Sequence, residues 1–248
     1  MLLRWLSLPV DRRMCACCLL LCSGVAGAQE VTATGRVEFE NPHKNKRTTS
    51  TPDAVVWITP VGAASTVSAL DTPRTQTPRL VQKNKQFAPH LLVVPVGTAV
   101  EFPNHDPFFH NVFSLFEGKR FDLGLYEAGT TRNVLFDKVG VSYIFCNIHP
   151  EMSAVVIALD TPYYGISDSH GEVRIASVPA GRYMLRVWSE ASLPDDLRTL
   201  VREINLSDTN PSLGTIRISE TATRQAHKNK YGQDYEPPAP SDPAYQRP

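Results

Sequence analysis

After its first 28 residues, this chain of 248 has no apolar run that keeps helical spacing over eleven positions. Its apolar residues come in short, β-branched and aromatic stretches, each soon ended by proline, glycine or a polar cluster. Runs of that kind bury a face as strands, so the pattern predicts an all-β protein. The expected strands before residue 160 are Val31 to Phe39, Asp53 to Pro60, Phe87 to Val96, Ala99 to Pro103, Phe108 to Ser114, Thr130 to Phe136, Val141 to Phe145 and Ser153 to Leu159. Beyond it they are Glu172 to Ala176, Arg182 to Trp188, Glu203 to Leu206 and Gly214 to Ile218, with a helical turn or loop near Leu193 to Val201.

Composition divides the chain further. Residues 29–60 carry the first two strands, and 61–85 are rich in Ser, Thr, Ala and Pro without periodicity, which reads as a mobile connector. Residues 86–160 form a dense β unit and 161–220 a second one. The stretch 221–248 is polar and proline-rich, with too little apolar surface to offset chain ordering, so it is predicted to be disordered.

Residues 1–28 read as a signal peptide. Arg12 and Arg13 precede an apolar stretch from Met14 to Val25, and Ala26-Gly27-Ala28 supplies a cleavage site. That apolar core falls short of the roughly 18 to 20 residues of a membrane span, and Leu21 ahead of Cys22 argues against a lipidated form. The expected location is outside the cytoplasm, the periplasm in a Gram-negative host. Cleavage would remove Cys15, Cys17, Cys18 and Cys22, leaving Cys146 as the single thiol of the five. No disulfide can then form within the chain, and an unpaired Cys in an exported protein points to intermolecular pairing, a reactive thiol or a metal. Subtracting Arg4, Arg12, Arg13 and Asp11 from 25 basic and 25 acidic residues leaves 22 and 24. There is no basic excess to recognise nucleic acid. No later segment is apolar enough to span a membrane.

The candidate chemistry lies in Cys146-Asn147-Ile148-His149-Pro150-Glu151-Met152, directly after the run Val141 to Phe145. A strand ending in this loop can turn a thiolate, an imidazole and a thioether towards one point. His110, set among Phe109, Val112 and Phe113, is the natural second imidazole, because an unpaired ring there would be costly to bury. His105 competes from a turn and His90 from beside Pro89, while His43, His170 and His227 sit in loops or the tail. Two His and one Cys with a weaker Met suit a blue-copper centre. Zinc prefers four strong ligands, among which a thioether is a poor member.

The segments Val96 to Asn104, His110-Asn111-Val112 and Phe145 to Met152 resemble the cupredoxins, closest to plastocyanin-like proteins of the amicyanin type. The resemblance covers about Gln86 to Asp160 and implies a Greek-key β-sandwich binding one type 1 copper ion. It implies His110, Cys146, His149 and Met152 as ligands, with the Asn111 amide bracing the loop around Cys146. Gly35-Arg36-Val37, Asp53 to Ile58 and Tyr164 to Val187 resemble a carboxypeptidase-regulatory-like, transthyretin-like sandwich. The copper unit would then be inserted between strands of the second sandwich. Pairing of Trp57 with the strand of Leu185 and Val187 would support that arrangement, whereas pairing with Leu91 to Val96 would exclude it.

The implied function is single-electron transfer between redox partner proteins that dock transiently. His149 would be the ligand nearest solvent, ringed by Pro107, Phe108, Ile148 and Pro150. A copper carrier or store without redox cycling is one alternative, and an interaction module with a vestigial metal site is another. An oxidase is disfavoured, because the sequence shows no second His-rich copper site.

Overall fold

The computed structural model describes residues 30–40, 53–62, 77–115, 117–222 and 227–235. The expected signal peptide, residues 63–76 of the expected connector and the end of the chain from 236 lie outside them. In chain order the described strands begin with β1 (Glu30–Glu40), β2 (Ala54–Pro60), β3 (Val81–Lys83), β4 (Gln86–Ala88), β5 (Leu91–Pro95) and β6 (Thr98–Pro103). They continue with β7 (His110–Ser114), β8 (Phe121–Tyr126), β9 (Thr131–Phe136), β10 (Gly140–Cys146) and β11 (Ser153–Leu159). The last are β12 (Tyr164–Ile166), β13 (Glu172–Pro179), β14 (Gly181–Ser189), β15 (Arg202–Leu206) and β16 (Ser212–Ser219), with one short helix, α1 (Pro194–Thr199). The protein is all-β.

The central layer is a five-stranded sheet in the order β5-β11-β10-β7-β8. Its two faces bury different cores. Ala154, Val156 and Ala158 of β11 join Val94, Val112, Phe102 and Cys146 in one cluster. Val155, Ile157 and Leu159, the alternate residues of the same strand, join Val93 and the side chains of the outer sheets in another. Successive strand residues point to opposite faces, so the unbroken apolar run of β11 reflects burial on both. β5, at one edge of the sheet, pairs in parallel with β11, Leu92 opposite Val156.

On the first face, β6 pairs with β9 and β3 with β4 to complete the core around Leu80, Phe102 and Phe136. On the second, β13-β1-β16 and β12-β2-β14-β15 enclose Val37, Ile58, Leu185 and Ile216. Here β2 lies against β14, with Ile58 opposite Leu185, Trp57 opposite Arg186 and Val56 opposite Val187. β5, the strand of Leu91 to Pro95, pairs with β11 instead. The turn before β13 docks on β1 through the Val37 N–H, which donates to the Gly171 carbonyl at 2.7 Å. Gly171 has φ +78°, and a Cβ there would lie 2.2 Å from the Val37 carbonyl oxygen. Only glycine fits.

Three expectations need correction. The connector expected over 61–85 does not extend to 85: Leu80 is fully buried, and residues 81–88 form the hairpin β3–β4. The single strand expected from Phe87 to Val96 is two, β4 and β5, interrupted at Pro89-His90. The tail expected to be disordered from 221 instead folds back at 227–235 onto the end of β10.

Candidate metal centre

Two strand ends and one loop build the site. β7 opens with His110 and β10 closes with Cys146, and the two strands pair with Val112 opposite Cys146. The loop after Cys146 is tight: the Cys146 N–H donates to the Met152 carbonyl at 3.3 Å and the Met152 N–H to the His149 carbonyl at 3.0 Å. The Asn147 N–H donates to the Asn111 carbonyl at 2.8 Å, which ties the loop to β7. His110, Cys146 and Met152 are 0% exposed and His149 3%.

The Cys146 Sγ lies 3.6 Å from His110 Nδ1 and 3.6 Å from His149 Nδ1, and the two nitrogens are 3.2 Å apart. A triangle with sides of 3.2, 3.6 and 3.6 Å has one point about 2.0 Å from each corner, the length of a metal–imidazole bond and slightly short of a metal–thiolate bond of about 2.3 Å. A metal therefore fits between these three atoms. The donors themselves narrow the choice. Two imidazoles and one thiolate are the donor set that suits copper, to which a thioether would add a weak donor.

The His110 tautomer is set from behind. His110 Nε2 lies 2.9 Å from Asp106 Oδ2, and a carboxylate accepts, so the ring proton sits on Nε2 and the Nδ1 lone pair faces the cluster. Asp106 is itself held by the β3–β4 turn, whose Asn84 and Lys85 N–H groups donate to it at 2.6 and 3.0 Å. Both turn residues have positive φ, 56° and 55°, the conformation of a two-residue type I′ hairpin turn. The turn thus presents two adjacent N–H groups to one carboxylate. Burial works against the Asp106 charge, but the hydrogen bonds from Lys85, His110 and Asn84 outweigh it and hold the carboxyl below its usual value.

Burial also keeps the cluster uncharged without a metal. It pushes the His110 imidazole down despite Asp106. It lowers His149 to about 4, with His110 adding to the effect. It pushes the Cys146 thiol up, against N–H groups of Asn111, Ile148 and His149 that favour the thiolate. Two neutral imidazoles and a thiol are ready to exchange one proton for a cation, because a thiol ligand must be deprotonated. Phe108 packs against both rings, its centroid 5.4 Å from that of His110 and 5.3 Å from that of His149.

No protein-family profile matches the chain, and no curated protein matches it. Solved structures do. A purple cupredoxin from Nitrosopumilus maritimus is 26% identical, and the match covers 33% of this chain and 99% of that one with a TM-score of 0.31. An oxidised amicyanin variant is 17% identical over 37% of this chain and 89% of its own, with a TM-score of 0.32. This part of the chain is similar to cupredoxins. A copper-containing nitrite reductase from Thermus scotoductus also matches, at 24% identity and a TM-score of 0.34, over 38% of this chain and only 26% of the reductase.

Of the four ligands that the cupredoxin resemblance implies, His110, Cys146 and His149 bring their donor atoms together. Met152 is buried in the same core, its main chain bonded to Cys146 and His149. The competitors lie elsewhere. His105 is exposed, and His90 contacts the Ser153 carbonyl and the Glu190 carboxylate. Asn111 does brace the cysteine loop, but through its main-chain carbonyl; its side-chain amide donates to Asp122 at 2.6 Å. Sequence reasoning missed Asp106, which appears only as part of a turn cluster four residues before His110. It also missed His227, which stacks on Phe145.

Proposed function

We propose that the protein is an exported type 1 copper protein that carries single electrons between redox partners. The observation that carries this reading is the buried triangle of His110 Nδ1, His149 Nδ1 and Cys146 Sγ, with Met152 in the same buried core as Cys146. A copper ion held there would supply one-electron chemistry at the Cys-His-His set. The protein's contribution is to keep the donors still. Asp106 holds the His110 ring by its far nitrogen. The Asn147 link to Asn111 fixes the loop. Phe108 and the surrounding core keep water from the thiol, which protects it from oxidation. Donors held this firmly need little rearrangement when the charge at the site changes.

His149 is the least buried of the four proposed ligands. Around it Pro107 and Pro150 are exposed and Phe108 and Ile148 half-buried. These residues would form a small apolar patch of the kind that transient redox complexes use. No helix among the described residues is long and apolar enough to cross a membrane. The strand pairing of β2 with β14 supports insertion of the copper unit between strands of a second, transthyretin-like sandwich. Voltammetry of the copper-loaded protein tests the electron-carrier reading. A reversible one-electron wave, with copper retained against a chelator in both oxidation states, is expected. Irreversible reduction with rapid loss of Cu(I) would make the protein a metal carrier instead.

A further inference from the structure

Residues 227–235 come back from the outer sheets to the cysteine loop. The His227 ring stacks on Phe145, with centroids 4.2 Å apart and 24° between planes. The Tyr235 hydroxyl donates to the Cys146 carbonyl at 2.7 Å, and the Lys230 N–H donates to Asn147 Oδ1 at 2.9 Å. The Lys230 ammonium donates to Asp122 Oδ2 at 2.8 Å, and the other oxygen of that carboxylate accepts from the Asn111 side chain. One short segment therefore grips the residue before the cysteine, the cysteine itself, the residue after it and Asp122 of β8.

This grip falls at the end of β10, where Phe145 also meets the Phe113 ring of β7 with centroids 5.9 Å apart. Phe145 and Tyr143 lie on the face of β10 opposite Cys146. Tyr143 is covered by Trp188, whose ring centroid is 6.5 Å away. Two residues further along, at the strand end, His227 takes up the covering role. The thiol is fully buried, so reagent or metal reaches it only when the loop opens. Opening that frees Asn147 or the Cys146 carbonyl must break bonds to Lys230 or Tyr235.

We propose that residues 227–235 are a strap that positions the cysteine loop and sets how readily Cys146 exchanges what it binds. Tyr235 and Lys230 are its positioning residues. The metal half of this inference rests on the copper reading, while the opening of the loop does not.

The test uses residues 29–248, in which Cys146 is the single thiol, and the variants Tyr235→Phe, Lys230→Ala, which removes the ammonium contact with Asp122, and their combination. Leu213→Ala, in the distant β16, serves as a destabilised control. The reaction rate of the metal-free Cys146 thiol with an aromatic disulfide reagent is measured first. The loss of copper from the loaded protein to a chelator follows. Tyr235→Phe keeps the ring and removes one hydrogen bond, so both rates should rise by about two- to tenfold. The double variant should be faster still, and Leu213→Ala should melt lower with the thiol rate unchanged. A wild-type thiol rate in the double variant would overturn the strap, as would equal acceleration by Leu213→Ala. A faster thiol in a protein that never develops a copper–thiolate band would leave the strap standing and remove the copper reading.

Discussion

At the scale of single residues, the types of the proposed ligands are readable from the sequence and their support is not. Cys146, His149 and Met152 lie in one short loop, and their chemistry marks them. Asp106 is invisible in that sense, because its role depends on a hairpin turn that offers it two N–H groups and on a ring proton pointed at it. Asp106→Asn replaces one acceptor oxygen by an N–H group facing other donors. It should weaken copper binding by about 10- to 100-fold, measured by competition with a chelator of known affinity. Unchanged affinity would remove Asp106 from the site. A second consequence concerns acid. His149 is held down to about 4 in the folded chain, against about 6.5 when unfolded. The unfolded chain then binds more protons between those values, so its share of stability is complete above about pH 6.5 and is lost as pH falls towards 4. The denaturant midpoint of the metal-free protein should drop across that window. A midpoint flat from pH 7 to 4 would contradict a buried, neutral His149.

At the scale of elements, apolar runs locate β1, β2, β6, β7, β9 to β11 and β13 to β16 to within a few residues, because each carries an apolar face, whereas β8 and β12 are not among the expected strands. The pattern also fails for β3. Val81–Lys83 is three residues long and buries the polar Gln82, which accepts from the Tyr126 hydroxyl and donates to the Leu80 carbonyl. A hydrogen-bonded glutamine in a core leaves no hydrophobic signal. The folded tail at 227–235 escapes for the same reason, since its anchoring contacts include polar groups and a stacked ring rather than an apolar stripe. β11 gives the sharpest test of the two-faced sheet. Ile157 belongs to the core away from Cys146, so Ile157→Ala should cost about 2–4 kcal/mol of stability and leave the copper spectrum unchanged. Chemical denaturation and the visible band check the two halves of that statement. A shifted band would mean that Ile157 bears on the metal site.

At the scale of the molecule, the central sheet makes the two cores interdependent. Val156 and Ile157 are neighbours in one strand and are buried in different clusters. Neither core can lose β11 without exposing the other. Calorimetry of the metal-free protein should therefore show a single cooperative transition, and two well-separated transitions would show that the cores melt alone. The resemblance-based reading anticipated this arrangement only as an insertion between strands. That one strand would line both interiors was not legible, because an unbroken apolar run does not say which layers cover its two faces.

The central claim is that His110, Cys146 and His149 hold one copper ion through an unprotonated thiolate. The most direct measurement is the visible absorption spectrum of the protein loaded with one equivalent of Cu(II), with its EPR spectrum alongside. The geometry predicts an intense thiolate-to-copper band with narrow copper hyperfine splitting, both lost in Cys146→Ala. A colourless wild-type complex, or a band that survives in Cys146→Ala, would contradict it.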